Sequence, residues 1–162
     1  MSGLDWLLII IIIVITGIQI IRGLKDFDLV FYETISLIVA VAMSVKWHLA
    51  IANKFNFSPS LVLLFLSLII EIILLLIANF IAHYTEFSWE PFNGFICFFL
   101  GLICSWTILH LLLRVASLQT DSKIPLLTKS SIESSVIAQE LLKFKIYNAI
   151  INFINRVGSS GG

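Results

Sequence analysis

Charge is scarce in this chain. Asp, Glu, Lys and Arg make up 12% of its 162 residues, and ten basic side chains cancel ten acidic ones. A soluble domain carries about a quarter of its residues charged, and a nucleic-acid partner calls for a clustered basic face; neither pattern is present. Cysteine is scarce as well. Cys97 and Cys104 stand seven residues apart in one apolar run, about 10.5 Å along a helix, too far for a disulfide. No stretch carries a recognisable catalytic or cofactor motif. Serine is plentiful between Ser117 and Ser135, but without a G-x-S-x-G elbow it reads as linker. The start lacks the basic leader and small-residue cleavage site of a signal peptide: Asp5 opens a run that continues to Ile21, which reads as a retained anchor.

What the chain has is apolar length. Hydrophobic residues make up 59% and the mean hydropathy is +1.06, which excludes a water-soluble reading. Leu61–Ile81 and Phe92–Leu113, joined by a short polar connection from His83 to Pro91, each reach roughly the 20 residues needed to cross hydrocarbon as a helix. Trp6–Ile21 and Phe27–Val45 are two further spans, joined by a charged turn of Arg22, Gly23, Lys25, Asp26 and Asp28. The isoleucine-rich first span would favour strand in water, but lipid demands internal backbone partners and so forces helix. Asp5 is placed to cap that helix. Lys46–Ser60 reads as a polar connection, with Ser58-Pro59 starting the third helix. Trp47, Tyr84 and Trp89 fit interfacial positions.

The expected fold is an all-α membrane protein: four transmembrane helices as two hairpins over residues 1–114, then a polar linker (115–132). An amphipathic helix follows over residues 133–157, with a flexible tail at 158–162. In the amphipathic helix Ile137, Leu141, Phe144, Tyr147, Ile151 and Ile154 repeat every three or four residues. The distribution of Lys46, Lys54, Arg114 and the tail lysines puts both termini in the cytoplasm by the positive-inside rule.

Few polar groups fall inside the spans. Glu71 lies at the middle of the third. A carboxylate there costs roughly 2.5–3.5 kcal/mol on insertion scales, so it should face a bundle interior, a water cavity or a partner. It reads either as a proton or ion site or as a carboxyl hydrogen-bonded to a neighbouring helix. Glu33 lies nearer a membrane face, within reach of headgroups or Arg22, and Gln19 suits an interhelical hydrogen bond. Ser36, Ala40 and Ser44, and again Cys97, Gly101 and Ser105, repeat every four residues, stripes that let helices approach closely in lipid. His83 and His110 lack metal-ligand spacing and read as interfacial. No metal, cofactor or catalytic residue is expected.

The layout resembles the colicin V production protein (CvpA) family. The resemblance rests on an N-terminal Asp (Asp5) before an apolar span, Gly17, then Arg22-Gly23, and a second span with small residues. It continues with Asn79-Phe80 before the turn, Asn93–Gly101 (NGFICFFLG) after it, and Leu126–Ile132 (LLTKSSI) before the final helix. In this chain Glu33 comes eleven residues after Arg22, where the family's Glu follows within about five. The arginines of the family's fourth span and the Trp of its tail motif are absent. Glu71 matches no family position. The resemblance implies a bacterial inner-membrane protein, non-enzymatic and without a cofactor, needed for production or export of a peptide toxin and tied to envelope maintenance. Its expected partners are the bilayer and other copies of itself or envelope and secretion proteins. The alternative is an oligomeric channel or transporter protomer with Glu71 and Glu33 lining an ion or proton path. A membrane enzyme has least support, because the polar groups are scattered over different depths.

Overall fold

The computed structural model describes residues 2–85, 90–119 and 129–143. Four of its helices are long and apolar enough to cross a membrane: α1 (Gly3–Gly23), α2 (Phe27–Phe55), α3 (Pro59–Tyr84) and α4 (Asn93–Ser117). The protein is a multi-pass, all-α membrane protein. Two short helices follow, α5 (Lys129–Ser134) and α6 (Val136–Leu142).

Local chemistry sets the boundaries. Ser2, not Asp5, is the N-cap of α1: the Ser2 hydroxyl accepts from the Asp5 amide at 3.2 Å, and the Asp5 carboxylate accepts from the Ser2 amide at 2.7 Å. This capping box satisfies two orphan donors at once. The polar connection expected from Lys46 is also corrected, because α2 continues ten residues past Val45. No helix breaker intervenes until Asn56, which takes the left-handed conformation (φ 56°, ψ 39°) that Asn tolerates. Pro59 then opens α3 behind Ser58, where its missing N–H costs nothing.

Successive spans are joined as hairpins, but the most extensive packing pairs α2 with α3 and α1 with α4, and α4 also lies against α2. The helices therefore run across the bundle in the order α1, α4, α2, α3. Both small-residue stripes fall on the inner helices. Ser36, Ala40 and Ser44 of α2, and Cys97, Gly101 and Ser105 of α4, are all buried. Their hydroxyls turn back onto their own helices, Ser36 onto Glu33 O, Ser44 onto Ala40 O and Ser105 onto Leu102 O, at 2.7–2.9 Å. The polar groups are thus satisfied without widening the seam. The outer helices present Ile10, Ile13 and Ile21 of α1 and Phe65, Ile72 and Leu76 of α3 outward. In water such faces would drive aggregation; in a bilayer they are the lipid contact.

The tail packs onto one end of the bundle. Ile132, Ala138 and Leu141 are buried against Leu4 and Leu8 of α1 and Leu109 and Leu113 of α4. Part of the expected linker is thus helical, since α5 begins at Lys129, and Ser135 breaks the chain into two short helices. Ile137 and Leu141 lie on the packed face of α6 as the periodicity requires. Phe144, Tyr147, Ile151 and Ile154 lie outside the described residues, as does Trp89.

Candidate functional site

Polar side chains from all four spans gather where α1 and α2 meet the middle of α3 and α4. Glu71 sits on the stripe of α3 that also carries the buried Ser60, Leu63, Ser67, Ala78 and Ala82, spaced three, four or seven residues apart. It therefore faces the bundle, and its Oε2 is buried with no hydrogen-bond partner among the described residues. From α2, Glu33 pairs with Arg22 of α1 at 2.7 Å. The guanidinium comes from the last turn of α1, where a cation also meets the negative end of the helix dipole. Gln19, one turn earlier, is buried, and its Nε2 donates to Cys104 Sγ of α4 at 3.4 Å.

Glu33 also shares a cavity wall with Ile72 and Leu75, beside the turn of α3 that carries Glu71. The Oε1 of Gln19 and the Oγ1 of Thr16 are buried without a partner among the described residues. The cluster is rich in acceptors. Its single cation, Arg22, is already engaged by Glu33. Glu71, Glu33 and Gln19, separated by up to 52 positions in sequence, thus belong to one neighbourhood, whereas the small-residue stripes form the seams around it. Among the described residues no group of three His, Cys, Asp or Glu could hold a metal ion.

A second polar group, at the other end of α1, was not legible from sequence. Asp5 is 1% exposed and accepts from the Ser135 hydroxyl at 2.5 Å and from the Ile137 amide at 3.3 Å. One carboxylate therefore serves the first turn of α1 and the first turn of α6. Ser135 in turn accepts from the Ala138 amide at 3.0 Å as N-cap of α6. At the far end of α6, the Leu141 carbonyl lies 2.7 Å from His110 Nδ1. His110 is therefore buried under the tail rather than interfacial, because a C-terminal carbonyl of α6 needs a donor where α4 covers it. The Ser2-x-x-Asp5 spacing was the available signal for the first half of this arrangement. Nothing in the sequence pointed from Asp5 to Ser135.

No family model, curated protein or solved structure matches the chain.

Proposed function

We propose that this protein is a CvpA-like, non-enzymatic subunit of the bacterial inner membrane that supports production or export of a colicin V-type peptide toxin and, more broadly, envelope function. In this reading it works in an assembly with further copies of itself or with envelope and secretion proteins, and both termini are cytoplasmic. One observation carries it: several residues behind the resemblance make contacts with parts of the chain far away in sequence. Asp5 bonds Ser135, three residues beyond the Leu126–Ile132 motif, and Ile132 itself is buried on Leu4 and Leu8. Gly23 of the Arg-Gly pair packs on Cys97, and Gly101 packs on Thr16. Those small and polar residues are the ones that hold α1 and the tail on α4.

The test is complementation. In a toxin-producing strain deleted for its own CvpA-type gene, expression of this chain should restore extracellular toxin. Asp5→Ala, which removes the link to the tail, should restore less at equal membrane abundance. Full-length protein present in the membrane with no rise in toxin export would overturn the reading.

The unpartnered Glu71 oxygen favours a second reading, a channel or transporter protomer with Glu71 and Glu33 along an ion or proton path. Under it, Glu71→Gln abolishes flux across reconstituted vesicles without reducing assembly; unchanged flux would end it.

A further inference from the structure

A groove of about 420 Å³ opens on the lipid side of the bundle where α2 turns into α3. Its walls are Ile51 of α2, Phe57 of the turn and a stripe of α3 from Leu61 to Ile69, and Ser58 is the single polar residue among them. Leu61, Phe65 and Ile69 are each about half exposed along it. Local structure closes its upper end. Asn56, in the left-handed conformation, reverses the chain between Phe55 and Phe57, whose rings stack with centroids 6.2 Å apart.

That end is also where the groove becomes polar and positive. Lys54, one turn after Ile51, holds its Nζ over the Phe55 ring at 5.8 Å from the centroid, and it makes no ion pair among the described residues. From Thr34 to Ile70 the only charged side chains are Lys46 and Lys54. The neighbouring α4, which packs on this end through Leu111 and Val115, adds Arg114 and no acid. Ser58 stands at the N-cap of α3 without capping it; its hydroxyl pairs with that of Ser60 at 2.9 Å. Two hydroxyls that share one hydrogen bond leave one O–H to donate, and Ser58 is the exposed member of the pair.

Depth says what fits. The charged α1–α2 turn fixes the start of α2 at one membrane face, and the helix is 29 residues long, about 43 Å against roughly 30 Å of hydrocarbon. Its last turn, with Lys54, therefore stands at headgroup level. Ile69 lies eleven residues along α3 from Ser58, about 16 Å deeper, and faces acyl chains. The groove thus joins a cationic headgroup level to an apolar one, the polarity of a single phospholipid. The headgroup is specified as well: a zwitterionic one brings an ammonium that finds no acid here, whereas an anionic one brings only its phosphate. We propose that this groove holds one anionic phospholipid, with its phosphate on Lys54 and Ser58 and one acyl chain along the stripe from Leu61 to Ile69.

The test is native mass spectrometry of the full chain in dodecyl maltoside, with dioleoyl phosphatidylglycerol and dioleoyl phosphatidylcholine added at equal concentration. One phosphatidylglycerol per chain should be retained in preference to phosphatidylcholine. Lys54→Gln should lower that preference about fivefold, the ratio equivalent to about 1 kcal/mol for a lysine at an anionic surface. Lys46→Gln should leave it unchanged, because Lys46 lies eight residues earlier and about 80° around α2. Ile69→Trp, which fills the lower groove, should reduce retention of both lipids. Equal retention of the two lipids by folded, monodisperse protein would overturn the proposal. So would equal losses from Lys46→Gln and Lys54→Gln, the mark of a diffuse surface attraction. A doubled mass that Ile69→Trp splits would give the groove to a second copy of the chain instead.

Discussion

Replacing Gly101 by alanine should drive α1 and α4 apart. A Cβ built on Gly101 would stand 2.9 Å from Thr16 Cα and 3.2 Å from Thr16 O. Ordinary carbon contacts lie at about 3.5–4.0 Å, so the helices must separate by roughly 0.6–1 Å. The obstacle is main chain and cannot rotate away. Overpacking of this kind costs about 1–3 kcal/mol, and the gain in helix preference from Gly to Ala offsets about 0.5–1 kcal/mol of it. A net loss of up to about 2.5 kcal/mol is expected. Gly17 supplies the control, since nothing lies within 4 Å of its would-be Cβ; Gly17→Ala should be neutral or slightly stabilising. Gly23 lies between the two. Its Cβ would collide with Sγ and Cβ of Cys97, so Gly23→Ala should destabilise, and adding Cys97→Ala should restore part of the loss. Unfolding by a denaturing detergent titrated into mild-detergent micelles, followed by tryptophan fluorescence, gives the ranking. Gly101→Ala as stable as Gly17→Ala would refute the close-approach argument for the α1–α4 seam.

Two further substitutions probe the polar groups. Ser135→Ala removes the cap of α6 and a donor to Asp5, and should weaken docking of the tail by about 0.5–2 kcal/mol, read as faster hydrogen exchange at Ala138 and Leu141 with α2 and α3 unaffected; protection unchanged would show that the apolar contacts alone hold α6. Glu71→Leu replaces an unpaired buried carboxyl by an apolar side chain of similar size and should leave the bundle as stable or stabilise it by up to about 3 kcal/mol, while abolishing flux if the ion-path reading holds; marked destabilisation in the same detergent titration would instead make Glu71 a packing group.

The spans were legible because lipid leaves little choice: about 20 apolar residues between polar turns can only be a helix. The stripes at Ser36, Ala40 and Ser44 and at Cys97, Gly101 and Ser105 were legible for the same reason, since small residues at a spacing of four mark a close approach. Which helices those stripes brought together was not. Connection lengths suggested α1 on α2 and α3 on α4, whereas the small faces of α2 and α4 place those two inside and turn α1 and α3 outward. The end of α2 was misplaced because Lys46, Trp47 and His48 look like a membrane exit, and a helix does not stop where the membrane does. The Asp5–Ser135 bond spans 130 positions, and a side-chain contact at that separation leaves no local pattern. For Glu71 the depth was legible but not the company: Glu33 of α2 comes beside its turn of α3 only once the helices are placed.

The hold on α1 rests on few of its residues. Between helices in lipid there is no hydrophobic driving force, because a neighbouring acyl chain is as apolar as a leucine. The outward isoleucines of α1 therefore do not fix its position, and any apolar residue could stand there. What binds α1 to α4 is close approach at Gly101 on Thr16 and Gly23 on Cys97, with a polar tie from Gln19 to Cys104, while Asp5 ties the other end of α1 to Ser135 of the tail. Exchanges among the outward isoleucines of α1 should therefore leave the seam intact, whereas exchanges at Gly23 or Gln19 should not. The same helix joins both polar groups. Asp5 and Gln19 are fourteen residues apart, about 21 Å along α1, and a seam locked against main chain at Gly101 does not slide by small amounts. The two ties therefore hold α1 near either end of its length, and with the Asp5 tie removed the Gln19–Cys104 contact and the close approaches at Gly101 and Gly23 still set its register on α4.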